Sequence, residues 1–334
     1  MKTAQPSVPL VLVSDLTREG SSARRLVRGV QAGEQRRIRR GVYAPASAWD
    51  LASDRERHVA RMRAVERTSR AHPIVFSHRS AALMWGIPVL GRWPANVHAL
   101  AMNRRGVRSG NGVVWHRESV GDDEVYELNG FLVTNYLRTL ADLARSTEFA
   151  SAVVSLDHGT KERVVLPDGT MIDGVSREIL LERLNRDGPA RGVRSARAAL
   201  EFCNPLSGSP GESYSRVQMH RLRFPPPRLQ VAVPRRDGYG KDIPDFDWKE
   251  ALGEFDGKVK YTRDQYTGGR AIEEIVWDEK RREDRLRRTT KKDMARWLWE
   301  DAMDPVRLRD ILLDAGLTPL AEAQYRRECV AVPR

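Results

Sequence analysis

Cysteine is scarce in this sequence. There are two in 334 residues, Cys203 and Cys329, far apart and with no histidine or second cysteine beside them. That excludes a structural zinc site of the usual spacing and fits a reducing compartment. Long apolar runs are missing too. The stretch from Val8 to Val13 is interrupted by Pro9 and closed by Asp15, which is too short for a signal peptide or a membrane span. A cytoplasmic protein without membrane contact is therefore expected. Neither Gly-x-x-x-x-Gly-Lys-Ser/Thr nor a strand-linked Gly-x-Gly-x-x-Gly occurs. Phosphate-cradling nucleotide chemistry is not expected, nor is a small-molecule cofactor. His78, His98 and His116 have no carboxylate or cysteine at ligand spacing, so they read as structural histidines.

Basic charge is plentiful. Lys plus Arg outnumber Asp plus Glu by 57 to 45, giving a net charge of +12 and a pI near 10.0. Hydrophobic residues make up 40% and charged residues 31%, a globular balance with room for two or three domains. An excess of this kind favours polyanions, double-stranded DNA first among them. The excess is concentrated. Arg18, Arg24, Arg25, Arg28, Arg36, Arg37, Arg39 and Arg40 stand against only Glu19 and Glu34.

In that segment Val11 to Leu16 reads as a short helix. Ser21-Ser22 caps a second helix, Ala23 to Gln31, with Leu26, Val27 and Val30 inward and Arg24, Arg25 and Arg28 outward. Gly33 ends it, and Gln35 to Tyr43 alternates basic and apolar residues as a small hairpin would, with Ile38 and Val42 inward. Helix, turn, basic helix and basic hairpin is the plan of a winged helix-turn-helix, whose second helix enters the major groove. The run Leu26-Val-Arg-Gly-Val-Gln-Ala-Gly33 followed by Ile38-Arg-Arg-Gly-Val-Tyr-Ala44 resembles the N-terminal domain of AbiEi-family antitoxins. That resemblance implies promoter binding, autorepression and a cognate toxin.

The middle of the chain reads as a charged linking helix over 50–70, strands at 74–77, 96–99, 113–116 and 131–134, and helices at 78–85 and 134–145. Ser77-His-Arg-Ser-Ala-Ala82 and Thr139-Leu-Ala-Asp-Leu-Ala-Arg145 are similar to the central AbiEi-type α/β unit. Residues 161–200 read as two helical connecting pieces, broken at Asp187-Gly-Pro189.

The C-terminal third gathers acids. Glu212 opens a helix in Gly208-Ser-Pro-Gly-Glu212, and Asp245 and Glu254 fall in two short apolar segments that read as neighbouring strands. Carboxylates on adjacent strands repel one another unless a hard cation lies between them. In the same patterns Asp245 and Asp247 share one strand face, as do Glu254 and Asp256. The expected order is a helix to about 223, three strands in a meander between 229 and 256, a helix over 271–288, a strand over 294–299 and a helix over 305–315. Pro244-Asp245-Phe, Gly253-Glu254-Phe-Asp256-Gly257 and Glu279-Lys280-Arg-Arg-Glu-Asp284 together resemble the very-short-patch-repair-like branch of the PD-(D/E)XK endonucleases.

That resemblance implies a restriction-endonuclease-like α/β/α fold in which Asp245 and Glu254 bind Mg²⁺ or Mn²⁺ and Glu212 completes the site. The usual lysine two residues after the glutamate is replaced by Asp256, so Lys260 or Lys280 would have to supply the positive charge. Two plainer readings stand beside this one. Ser209-x-x-Glu212 is also a capping box, and Asp247 is as readily a rim residue as a ligand. Lys280 and Arg281 sit in a basic helical run that suits phosphate backbone.

The sequence as a whole suggests an α/β multidomain chain. Residues 1–48 form the winged helix, 49–200 the AbiEi-like unit with connecting helices, 201–320 the nuclease-like domain and 321–334 a tail. Two functions are expected from it: a Mg²⁺-dependent endodeoxyribonuclease, or a non-catalytic AbiEi-type repressor with a degenerate nuclease domain. A scaffold for protein contacts leaves the basic N-terminus without a purpose.

Overall fold

The computed structural model describes residues 8–18, 24–69, 73–101, 108–186, 188, 190–235, 238–257 and 272–328. The architecture is mixed α/β, and the chain divides into two compact units. The first comprises Met1–Ser146, Arg163–Asp173 and Glu178–Gly188, and the second comprises Thr147–Glu162, Gly174–Arg177 and Pro189–Arg334. The segments expected as 1–48 and most of 49–200 thus share one unit.

The first unit opens with β1 (Val11–Leu12), α1 (Val13–Arg18), α2 (Arg24–Gln31), β2 (Gln35–Arg39) and β3 (Val42–Pro45), with the strands in the order β1-β3-β2. The helix expected from Val11 begins only at Val13, because Val11 and Leu12 pair with Tyr43 and Val42 instead. The cap expected at Ser21-Ser22 lies outside the described residues. On α2 the expected inward set is wrong in two places: Leu26 and Gly29 are buried, whereas Val27 and Val30 are exposed. Gly29 is the cause. A Cβ there would stand 2.9 Å from Gln35 Cγ, so the helix docks through its glycine line and turns both valines outward.

After α3 (Ala46–Leu51), the helix α4 (Asp54–Thr68) is closed at its start by a capping box between Ser53 and Glu56. It is not the solvated linker its charges suggest. Ala60 packs on Val8 and Ala44, and Ala64 on Leu12 and Val42, because two small residues one turn apart let the helix approach the sheet closely.

A five-stranded sheet follows, built from β4 (Val75–Phe76), β5 (Val97–Leu100), β6 (Val113–His116), β7 (Val125–Leu128) and β8 (Phe131–Thr134) in the order β6-β5-β4-β8-β7. The helix α5 (His78–Trp85) packs on this sheet, and α6 (Tyr136–Ser146) packs on α5, with Thr139 hydrogen-bonded to Thr134 at the end of β8. Gly86 ends α5 in the left-handed conformation at φ 73°. All of these strands except β7 fall within a residue of expectation.

The chain then alternates between the units. Helix α7 (Phe149–Gly159) belongs to the second, while the hairpin β9 (Arg163–Val165) and β10 (Met171–Asp173) and the helix α8 (Arg177–Arg186) lie largely in the first. The sequence reading found neither α7 nor the hairpin.

The rest of the second unit is α9 (Val193–Phe202), α10 (Pro210–Arg221), β11 (Val233–Pro234), β12 (Lys241–Asp242), β13 (Phe246–Asp247), β14 (Ala251–Phe255), α11 (Ile272–Thr290), β15 (Asp293–Trp297), α12 (Trp299–Met303), α13 (Pro305–Asp314) and α14 (Glu322–Glu328). The three-stranded meander expected between 229 and 256 does not form. Gln230 sits at φ 54° after the prolines at 225–227, and residues 229–232 have no ladder; β11 and β12 make a separate ribbon. The main sheet is β13-β14-β15, with β15 parallel to β14. Its core stacks Phe246 on Trp248 and on Trp297.

Two glycines set how tightly this unit closes. A Cβ on Gly211 would stand 2.0 Å from the Phe255 ring, and one on Gly253 would stand 2.7 Å from Trp297. Only glycine lets α10 and the indoles lie so near β14. Among the described residues, no helix is long and apolar enough to cross a membrane.

Candidate functional site

Glu212 is placed by the start of α10. Ser209 caps the helix by accepting from the Glu212 backbone N–H at 3.2 Å, and the Glu212 carboxylate turns back to accept from the Gly208 N–H at 2.7 Å. The capping role is therefore met. The same carboxyl group also feels the charge of Asp245, so capping and site membership coexist in one side chain.

Asp245 immediately precedes β13. The register Phe246↔Gly253 extends to set Asp245 opposite Glu254, and Asp245 Oδ2 accepts from the Phe255 N–H at 2.8 Å. On the other side, the parallel register pairs Glu254 with Arg296 of β15. Paired positions of neighbouring strands project to one face, so Asp245, Glu254 and Arg296 form a row across the sheet.

Glu212 and Glu254 are both buried, and their carboxyl groups are pushed up to about 7. Burial is the largest cause for each, and the charge of Asp245 is the next. For Glu212 the opposing influences are bonds from Gly208 and Ser209 and the charge of Lys161. For Glu254 they are Arg282 and Arg296.

Arg282 of α11 meets Glu254 with two nitrogens, Nη2 to Oε1 at 2.9 Å and Nη1 to Oε2 at 3.4 Å, and also donates to the Ile243 carbonyl. Asp256, at the position where a lysine would be usual, is half-buried, with its Oδ2 3.8 Å from Arg296 Nε. Asp247 is not a free ligand, because Arg228 and Lys292 both pair with it. Lys260 lies outside the described residues.

Sequence reasoning missed three cations at this site. Lys161 Nζ donates to the Gly208 carbonyl at 3.1 Å, next to Glu212. Its separation of 47 residues from Gly208 gives no local signal. Arg296 is found only through the parallel register. Arg282 sits inside the basic run that suggested phosphate binding, and its position on the inner side of α11 decides its partner.

The donor chemistry fits a hard divalent cation. Three carboxylates share one neighbourhood, and their mutual repulsion is the penalty such an ion removes. Among the described residues no three such groups converge on one point in metal-holding geometry. Both oxygens of Glu254 are instead bonded by Arg282.

The basic residues expected to meet DNA are distributed unevenly. Arg24, Arg25, Arg28, Arg37 and Arg40 are exposed. Arg36 is held by Asp50 through two bonds, at 2.7 and 3.1 Å. Arg39 is half-buried, with Nε and Nη1 enclosed and without a hydrogen-bond partner among the described residues. On α11, Lys280 and Arg281 are exposed, and the Arg281 guanidinium lies 6.0 Å from the ring centre of Trp277.

His78, His98 and His116 do come together, but as a stack. The His78 and His116 rings lie 3.5 Å apart and 13° from parallel, and His98 Nδ1 is 2.9 Å from His116 Nε2. Imidazole lone pairs lie in the ring plane, so stacked rings do not aim at a common ion.

This packing has a consequence in acid. Burial holds His58 at about 4 and His98 at about 3, and lowers His78 and His116 as well. Above pH 6.5 these rings are neutral both folded and unfolded. Below it the unfolded chain takes up protons that the folded unit refuses, so stability falls with pH. The slope is roughly 1 kcal/mol per pH unit for each sealed imidazole. Asp142 acts in the opposite sense: its carboxyl is raised to about 7, chiefly by burial, so its cost to folding accrues as pH rises from 3.8 to 7. Four imidazoles outweigh one carboxyl. Urea midpoints of the first unit should drop between pH 6.5 and 4.5, and His58→Gln should flatten that drop. A pH-independent midpoint would refute the account.

No protein-family model matches the chain, and comparison with curated proteins finds no match either.

Proposed function

We propose that this chain binds double-stranded DNA through its N-terminal basic segment and hydrolyses DNA phosphodiesters with a divalent cation at the Glu212, Asp245 and Glu254 cluster. The observation carrying the reading is that Asp245, just before β13, stands opposite Glu254 of β14 and that its charge acts on both Glu254 and the α10 residue Glu212. The element order of the second unit, a helix, an antiparallel pair, a crossover helix and a parallel strand, supports a PD-(D/E)XK-type domain. In the first unit, α1, α2 and the β2–β3 hairpin support a winged helix-turn-helix of the AbiEi-antitoxin kind, with a cytoplasmic setting and a cognate toxin as partner.

A Mg²⁺ or Mn²⁺ held here would supply charge to polarise the scissile phosphate and to lower the pKa of an attacking water. Asp245 and Glu254 would hold it, with Glu212 beside them. The chain's own cations do the rest. Arg282, Arg296 and Lys161 line the acids and offset negative charge where the lysine of the usual motif is missing. The test is incubation of supercoiled and linear DNA with the full chain in Mg²⁺, Mn²⁺ or EDTA.

A second reading is favoured by Asp256 at the lysine position and by the Arg282 cover on Glu254: a repressor of the AbiEi type that binds DNA without metal and does not cut it. Tight binding in EDTA with no cleavage under any metal would select it.

Both readings share one expectation. Changing Arg25 and Arg28 to alanine should weaken duplex binding across sequences and reduce the slope of log K against log salt by ~0.9 for each phosphate no longer neutralised. The check is fluorescence anisotropy at several salt concentrations. An unchanged slope and affinity would remove α2 from the DNA interface.

A further inference from the structure

Arg282 stands where two different partners compete for it. Its fork covers both oxygens of Glu254, a carboxylate that is 5% exposed, yet its own side chain is 30% exposed and reaches solvent from α11. It is flanked on that helix by the exposed Lys280 and Arg281. A guanidinium fork that fits a carboxylate also fits a phosphate, and each pairing excludes the other. Arg285, one turn on, differs: it is committed to the buried Asp242 at 2.9 and 3.0 Å, alongside Arg235.

We propose that Arg282 is a phosphate-binding residue latched on Glu254 until DNA arrives. Transfer of the guanidinium to a backbone phosphate leaves the Ile243 carbonyl and frees both Glu254 oxygens for a divalent cation. Metal and DNA then bind cooperatively, each favouring the arrangement the other needs. Without DNA the latch keeps the carboxylate neutralised and the cation out. This inference rests on the metal-site reading above and adds to it the group that controls access.

The experiment titrates the full chain with Mn²⁺ by calorimetry, without DNA. Arg282→Gln should bind Mn²⁺ about tenfold more tightly than the original chain, since a unit charge in contact with the ligand is gone. Arg281→Gln removes the same charge one position away, does not touch Glu254, and should leave the affinity unchanged. Adding Glu254→Gln to Arg282→Gln should abolish the gain. Arg282→Lys, which keeps the charge but not the fork, should fall between and serves if the glutamine variant is unstable.

In a second measurement Ca²⁺, which takes the same oxygen ligands, should tighten the binding of a short DNA duplex to the original chain but not to Arg282→Gln. No gain in Mn²⁺ affinity on removing Arg282 would overturn the latch, as would an equal gain from Arg281→Gln or a gain that survives loss of Glu254. A chain that cuts no DNA under any metal defeats the nuclease reading alone, because neither titration depends on cleavage.

Discussion

On the proposed nuclease reading, Glu254→Gln is expected to abolish metal-dependent DNA cleavage, with a loss of about a thousand-fold or more. The substitution keeps the shape of a side chain that is 5% exposed but removes its negative charge, at the position opposite Asp245. A catalytic cation contributes several kcal/mol at the transition state, and each ~1.4 kcal/mol is tenfold in rate. Asp245→Asn should be as severe. Its Oδ2 holds the Phe255 N–H and its charge acts on both glutamates, so it is the shared member of the cluster. Glu212→Gln should cost less, because that side chain divides its bonding between the Gly208 N–H and the site. The measurement is single-turnover cleavage of a labelled duplex in Mg²⁺ and Mn²⁺, with melting curves to confirm that each variant is folded. A folded Glu254→Gln protein that cuts at the original rate would place any nuclease centre elsewhere.

Arg138→Ala should destabilise the first unit by roughly 3–5 kcal/mol, the usual consequence of stripping one partner from a buried ion pair. Arg138 is 3% exposed, and its Nε donates to Asp142 Oδ1 at 2.8 Å. Its Nη1 donates to Glu124 Oε2 at 3.0 Å and to the Ser119 carbonyl at 3.1 Å, and its Nη2 pairs with Glu118. Glu118 and Glu124 are partly exposed and are rehydrated when the arginine goes. Asp142 is completely buried; among the described residues its Oδ2 has no hydrogen-bond partner and lies 3.7 Å from His78 Nδ1, and Arg145 reaches its Oδ1 only at 3.4 Å. The cost therefore falls on Asp142. Arg138→Met combined with Asp142→Leu should recover most of the loss, because an apolar pair of similar volume needs no charge partner. Urea unfolding of the three proteins measures this. A single alanine variant within about 1 kcal/mol of the original would show that the network contributes little.

Several parts of this molecule are written in local sequence. Gly86 after the apolar run Ala81–Trp85 marks where α5 stops, and Ser209-Pro210 marks where α10 begins, because caps and turns depend on a few adjacent residues. The short strands read at 113–116 and 131–134 became β6 and β8. Composition gave the basic N-terminus, and the spacing of short acidic strands gave Asp245 and Glu254 as neighbours. Their proximity needed only the period of a strand and a tight turn between them.

Contacts across long separations were settled by the tertiary structure. Periodicity put Val27 and Val30 inward, yet Gly29 against Gln35 chose a different face of α2. The charges of α4 suggested a solvated helix, yet Ala60 and Ala64 buried one side of it. The parallel pairing of β14 with β15 placed Arg296 beside Glu254, and the packing of α11 placed Arg282 over the same carboxylate. A pattern of residues specifies which face of an element is apolar, but not which element will meet it. That Asp245 and Glu254 are neighbours was therefore legible in the sequence, whereas the cations beside them depended on how distant strands and helices were brought together.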